Sequence, residues 1–345
     1  MNALSKFYKR DRHIARLVIM TVIWLVFMAI TRFDKFYTIA NFQTIAGKFP
    51  EFGLMALGAM LCMITGGIDL SSVGIANLTS ILMSMYMRMR AGDSGTVSGF
   101  IVVEVLVFAA IIGCCAGALN GMLISKIHIP PILATLGVNQ LLTGIALVVT
   151  NGKAVSDIPT VYSSIINQKL LKVVPGKRGT VQGLIPVQLL FFVAAAILVW
   201  FLLSRTTYGK KLYLMGTSEN VARFSGLKVD WLLIKTYALS GILAELGGMI
   251  MLANYNSARS DYGSVYTLQC ILIVVLGGVS PSGGKGKISG VILSIVLLSL
   301  LEAGINRFAD ISSYYITLIW GAVLLLVMVL NYFVEHPIAR KASKA

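Results

Sequence analysis

The sequence predicts an all-α membrane protein that crosses a bilayer about ten times. Three observations carry this. Charged residues make up 12% of the chain, where soluble domains carry about 25%. The shortfall is concentrated in uncharged stretches long enough to span hydrocarbon. Runs such as 292–301 are apolar all round, whereas the strands of a membrane barrel alternate apolar and polar residues. Backbone groups in hydrocarbon must be paired within the protein, so these runs are helices.

The elements follow in order from hydropathy and length. The first span, near 15–31, is preceded by Lys6, Lys9, Arg10, Arg12 and Arg16. It is long and no A-x-A site follows, so it reads as an uncleaved helix. The second and third, near 50–66 and 72–87, are short and flank a Gly-rich break. The fourth and fifth fall near 100–125 and 130–150. Residues 151–185 form a loop that Pro159, Pro175, Gly176, Gly179, Gly183 and Pro186 make irregular rather than helical. The sixth span, near 186–204, leads into a hydrophilic loop at 205–231. The last four lie near 232–254, 265–280, 287–303 and 315–334. Together they read as one transmembrane domain over 1–345.

Lys and Arg set the orientation. The basic N-terminus, the loop with Arg205, Lys210, Lys211, Arg223 and Lys228, the link with Lys285 and Lys287, and the tail with Arg340, Lys341 and Lys344 fall on one side. That side reads as the cytoplasm, so both termini are cytoplasmic. The 151–185 loop then lies outside despite Lys153, Lys169, Lys172, Lys177 and Arg178; the rule weakens for long loops.

Several function classes drop out. A net charge of +15 would suggest nucleic acid in a soluble chain, but no basic stripe interleaved with aromatics occurs. Cys62, Cys114, Cys115 and Cys270 sit inside apolar runs, and His13, His128 and His336 lie far apart, so no metal site is expected. No catalytic constellation converges, so an enzyme is not expected. No G-x-x-x-x-G-K-[ST] loop occurs; the run 277–286 lacks its hydroxyl and spacing. An ATP-driven activity would need a separate ATPase chain.

Four features remain as candidates. In GGIDLS, at 66–71, Gly66 and Gly67 can end or unwind a helix, and Asp69 and Ser71 are N-cap types for the next one. A plain cap is the first reading; a broken helix on a transport path or hinge is the other. In the 205–231 loop, Thr217 or Ser218 can cap a short helix that Gly226 ends. This reads as a docking plug for a soluble partner, or as an interfacial helix touching lipid. Asn120, Asn139, Gln140, Glu245, Gln269 and Glu302 lie within or at the edges of spans. Such residues suit sugar hydroxyls and plain interhelical hydrogen bonds alike. Gly113, Gly117 and Gly121 stand four apart, which permits close helix packing. A possible duplication links 63–84 with 274–294, each with a Gly-Gly break and a following helix rich in small residues.

Several blocks resemble one family in order along the chain: GGIDLS at 66–71, GALNGMLISKIHIPPILATLG at 117–137, RTTYGKKLYLMGTSENVARFSGLKV at 205–229, YALSGILAELGGMI at 237–250 and VVLGGVSPSGGKGKISGVIL at 274–293. They are similar to the permease subunits of bacterial sugar ABC importers of the ribose, galactose and related pentose or deoxysugar type. The resemblance spans about 50–330. It implies a multi-pass protein of the bacterial cytoplasmic (inner) membrane, built like the cobalamin importer class, that moves a small sugar inward by alternating access. It implies a dimer with a second copy or a paralogue and an extracytoplasmic sugar-binding protein. It also implies ABC ATPase subunits that bind ATP and Mg; this chain is expected to hold no cofactor.

On that resemblance the ATPase-coupling residues are Gly216, Thr217, Glu219, Asn220, Ala222, Arg223, Ser225 and Gly226. The path or hinge residues are Gly66, Gly67, Asp69, Ser71, Asn120, Asn139, Gln269, Gly277 and Gly278. Arg259 and Asp261 either pair with each other or contact the binding protein. Two departures stand out. Ser71-Ser72 doubles the serine before Val73-Gly74, and Glu245 replaces a small residue and has no account unless it pairs. An ion-coupled secondary carrier, and an ABC permease for nucleosides or branched-chain amino acids, are the alternatives.

Overall fold

The computed structural model describes residues 12–92, 97–175 and 181–308, with positions 315, 318, 319, 321, 322, 325 and 329. Helices dominate: α1 (Arg12–Thr31), α2 (Phe33–Phe36), α3 (Ile39–Ile64), α4 (Ser72–Ala91), α5 (Ile101–Lys126), α6 (Pro131–Thr150), α7 (Thr160–Ile166), α8 (Val187–Arg205), α9 (Thr207–Thr217), α10 (Glu219–Phe224), α11 (Val229–Tyr255), α12 (Tyr266–Leu276) and α13 (Ile288–Ile305). Strands β1 (Lys169–Pro175) and β2 (Val181–Pro186) pair antiparallel, with Lys169 opposite Pro186 and an irregularity between Lys172 and Val174.

Among the described residues, seven helices are long and apolar enough to cross a membrane: α1, α3, α5, α6, α8, α11 and α13. Two predicted spans fall short of that. The third forms α4, which has the length but too polar a composition, and ends on Arg88 and Arg90. The eighth forms α12, only 11 residues long, because the chain turns at Gly277. Of the tenth span only positions 315, 318, 319, 321, 322, 325 and 329 are described, and these are helical; the basic residues Lys6, Lys9 and Arg10, the tail with Arg340, Lys341 and Lys344, and Lys177 and Arg178 lie outside the described residues.

Two local predictions are corrected. The 151–185 segment is not simply irregular. Pro159 opens the short helix α7, and a hairpin follows it. The second span starts at Ile39 rather than near 50. Thr38 caps it by accepting from Asn41 N at 3.2 Å. Its first turns are polar enough to hide from hydropathy, and Pro50 sits inside it, as membrane helices tolerate.

The core sits around α3 and α11, which are buried along most of their length. The helices α1, α6 and α8 keep exposed apolar faces, including Ile23, Ile30, Leu133, Val148, Ile197 and Phe201. Such faces suit lipid rather than water. Helix α5 packs closely against α11. A Cβ added at Gly113 would lie 2.5 Å from the Gly241 carbonyl, and one at Gly121 would lie 2.5 Å from Ile234 Cα. One at Gly117 would overlap the Tyr237 carbonyl. The four-residue glycine spacing thus does what it predicts: backbone meets backbone.

Candidate functional site

The GGIDLS break is a polar junction held by side chains of three other helices. The chain leaves α3 at Gly66, whose φ of +86° suits glycine. Asp69 is buried. Its Oδ1 accepts from Ser71 N at 2.9 Å and Ser71 Oγ at 2.6 Å; its Oδ2 accepts from Ser240 Oγ of α11 at 2.7 Å. Asn120 of α5 donates to Ser71 Oγ at 2.7 Å. Ser71 stands at the N-cap of α4, but its side chain makes no capping bond. The free N–H groups there are met from α6: Leu70 N donates to Thr135 Oγ1 at 3.1 Å and Gly74 N to Asn139 Oδ1 at 2.9 Å. Ser71 thus takes the N-cap position without capping through its own side chain, and acceptors from α6 meet N–H groups at this helix start in trans. Gly67 is forced by sterics, since a Cβ there would overlap the Tyr237 hydroxyl.

Beside the same break lies α10. Ser218 caps it by accepting from Val221 N at 3.4 Å, and Gly226, at φ +78°, ends it. Arg223 pairs with Glu219 at 2.9 Å and with Asp230 at 2.8 Å; Asp230 also meets Lys126 at 3.2 Å. These bonds raise the Arg223 pKa, Glu219 contributing first and Asp230 next. They bolt α10 to the ends of α11 and α5. Phe224 is 92% exposed and Val221 54%. Glu219, Asn220, Ser225 and Thr217 are exposed, whereas Ala222 is buried. Gly216 packs against backbone instead. A Cβ there would overlap the Ile64 carbonyl and lie 2.5 Å from Gly284 N. The end of α9 therefore wedges between the end of α3 and the loop before α13, where Gly284 N donates to Ile64 O at 2.9 Å. The α10 segment thus leans directly on the Gly66 break.

The opposite end of α11 carries a polar cavity of about 360 Å³, lined by Asn77, Asn139, Gln140, Thr143, Arg259 and Asp261 among others. Small-ligand pockets begin at about 300 Å³. Arg259 Nε meets Asp261 Oδ1 at 3.0 Å, so the two pair, on the rim of this cavity. Asn77 donates to the Ser260 and Tyr262 carbonyls at 2.8 and 2.9 Å and fixes the loop that carries them. The 27 residues of α11 set the Arg259–Asp261 rim about 40 Å from the α10 end, while Val73 and Asn139 carry the cavity's inner wall to the start of α4.

Other predicted positions do not join these sites. Gln269 is buried on α12 with Nε2 unpartnered among the described residues. Gly277 packs against Val291 of α13, and Gly278 faces the His13 ring. Glu245 does not pair: it is buried and both its carboxylate oxygens lack a partner among the described residues. The proposed duplication loses its main support. Gly66 and Gly278 share the same helix-end pattern, φ +86° and +84°, with Gly67 N to Cys62 O and Val279 N to Val274 O both at 3.2 Å. However, Gly226 ends α10 with the same arrangement, which is the common glycine C-cap.

Sequence reasoning missed Thr135, Ser240, Asp230 and a second polar cluster. In that cluster the buried Glu51 accepts from Asn254 at 2.6 Å and from Tyr266 at 2.9 Å, beside a Lys48–Glu302 ion pair of 2.7 Å. Glu51, an acid inside the second span, was a visible signal. Thr135 and Ser240 carried none, because each matters only for the backbone or carboxylate it meets.

Residues 41–328 match the family described as branched-chain amino acid transport system / permease component. The ribose import permease protein RbsC of Bacillus subtilis is 34% identical over 81% of this chain and 80% of its own length. The protein of the same name from Escherichia coli K12 is 31% identical over 89% and 91%. The autoinducer 2 import system permease protein LsrD of Yersinia enterocolitica is 30% identical over 81% and 80%. No solved structure matches the chain.

Proposed function

Because the chain belongs to the branched-chain amino acid transport system / permease component family, we propose that it is the membrane-spanning permease subunit of an ATP-driven importer for a small sugar. Its similarity to ribose import permeases over most of both chains supports the sugar. In this reading the chain is one transmembrane domain of about ten crossings, with cytoplasmic termini and a fold like the cobalamin importer class. It sits in the bacterial inner membrane and pairs with a second copy or a paralogue. It is a transport component; ATP and Mg are held by separate ATPase subunits, and a sugar-binding protein delivers substrate at the Arg259–Asp261 end.

The observation that carries the mechanism is the placement of α10. It is fixed to α5 and α11 by Arg223, Asp230 and Lys126, it presents Phe224 and Val221 outward, and Gly216 seats its base against the Gly66 break. A push on α10 reaches the break where α3 passes into α4. There Asp69, Ser71, Asn120 and Asn139 tie together the helices that must shift in alternating access. The amide-lined cavity at the far end offers paired donors and acceptors that suit sugar hydroxyls.

The test is recovery of this chain from native membranes in mild detergent, with mass spectrometry of what accompanies it. A P-loop ATPase is expected with the wild type and lost in Phe224→Ala, a surface change with no fold cost. Gly226 is a poor choice, because its positive φ strains any replacement. A chain that comes down alone, yet transports on an ion gradient, overturns the proposal in favour of a secondary carrier.

A further inference from the structure

Three lysines converge where α9 meets the start of α11. Lys228, Trp231 and Lys235 are spaced to share one face of α11, and the Lys235 ammonium stands 5.2 Å from the centre of the Trp231 ring. Lys211 stands one turn from Tyr208 on α9, and Tyr208 Oη hydrogen-bonds Thr236 Oγ1 at 2.8 Å, which clamps α9 onto α11. With Thr207, Gly226, Leu227 and Leu232, these residues enclose a cavity of about 440 Å³. Among the described residues, no carboxylate lines it. The nearby acids are committed elsewhere, Asp230 to Arg223 and Lys126 and Glu219 to Arg223. Among the described residues none of the three lysines has an ion pair. Three like charges around one concavity repel one another unless an anion occupies it.

The position selects the anion. The cavity lies at the end of a helix apolar enough to cross a membrane, and Trp231 is 56% exposed beside it. At the nearby end of α8, Arg205 stands 5.7 Å from the Trp200 ring. Exposed Trp with Lys and Arg marks the water–hydrocarbon boundary, and basic pockets between helix ends there take lipid headgroups. We propose that the Lys211–Lys228–Lys235 cavity binds the headgroup of an anionic phospholipid. The phosphate offsets part of the lysines' mutual repulsion, and the bound lipid braces α9, and with it the base of α10, against α11. Lipid composition would then set how stiffly α10 is held.

The test is titration of the purified full chain in detergent with phosphatidylglycerol and with phosphatidylcholine, read by native mass spectrometry. Phosphatidylglycerol is expected to bind tighter. Binding should weaken about 5-fold for each lysine replaced by glutamine and about 100-fold for Lys211→Gln/Lys228→Gln/Lys235→Gln. The matching triple arginine variant should retain it, and Lys153→Gln should change nothing. Equal binding of the two lipids, or undiminished binding in the triple glutamine variant, overturns the proposal. Competition by millimolar inorganic phosphate would make it a free-anion site instead. Loss of a co-purifying protein from the glutamine variant, with lipid binding intact, would make it a protein contact. None of these readouts depends on the transported substrate.

Discussion

At Gly67 the backbone passes so close to the Tyr237 hydroxyl that a methyl group would collide with it. That hydroxyl is buried and unpartnered among the described residues. Gly67→Ala should therefore cost about 1–3 kcal/mol of stability. Tyr237→Phe alone should be neutral or stabilising by up to about 1 kcal/mol, since it removes an unsatisfied polar atom. The double variant should recover much of the Gly67→Ala loss, though Pro131 stays close. Thermal unfolding in detergent gives the cycle; a double variant no better than the single sum refutes the contact. Asp69→Asn can keep an oxygen on Ser71 N and Ser71 Oγ only by turning its NH2 toward Ser240 Oγ, which loses its acceptor. A loss of about 1–3 kcal/mol is expected, with weakened uptake. Sequence marked Asp69 and Ser71 as capping types, but it could not say that Ser240, Thr135 and Asn139 would complete the cap.

Among the elements, α5 and α11 pack closely, and glycines set their separation. Gly117→Leu should force the pair apart and lower stability by about 3 kcal/mol or more. Gly137→Ala and Gly144→Ala, which meet nothing within 4 Å, are the controls and should differ from wild type by less than about 0.5 kcal/mol. Equal melting temperatures for Gly117→Leu and Gly137→Ala would contradict the assignment. The short helix α10 behaves differently. Too short to stand alone, it is held by Ser218 at one end and by Arg223, Asp230 and Lys126 at its side. Asp230→Asn should leave the overall melt within about 1 kcal/mol, because these pairs are solvent-exposed. It should weaken ATPase co-purification by loosening the attachment of α10. Unchanged recovery would mean that this attachment does not matter for docking. The four-residue glycine spacing and the cap-to-glycine span of α10 were legible in sequence, because both are local patterns. The side-on attachment was not, since Lys126 lies about a hundred residues away in the chain.

For the whole molecule, the length of α11 places α10 and the Arg259–Asp261 rim at opposite ends. Single cysteines at Val221 and Asp261, introduced with the four native cysteines replaced, should react with membrane-impermeant reagents from opposite sides. Position 221 should react only in inverted vesicles. Labelling of both from one side would overturn the orientation drawn from the loop charges.

Hydropathy alone determined that this chain is helical and crosses a membrane many times, since lipid imposes that requirement on each segment separately. Local chemistry determined where helices stop at Gly66 and Gly226, for a turn is decided within a few residues. What the sequence did not decide was the short reach of α12, the polar start of α3 and the helix and hairpin within 151–185. Nor did it decide which polar groups meet. Asp69 finds Ser240, Arg223 finds Asp230, and Glu245 finds no partner among the described residues. Those outcomes depend on which helices lie side by side, and tertiary packing fixes that through backbone contacts as close as those of Gly117 and Gly216.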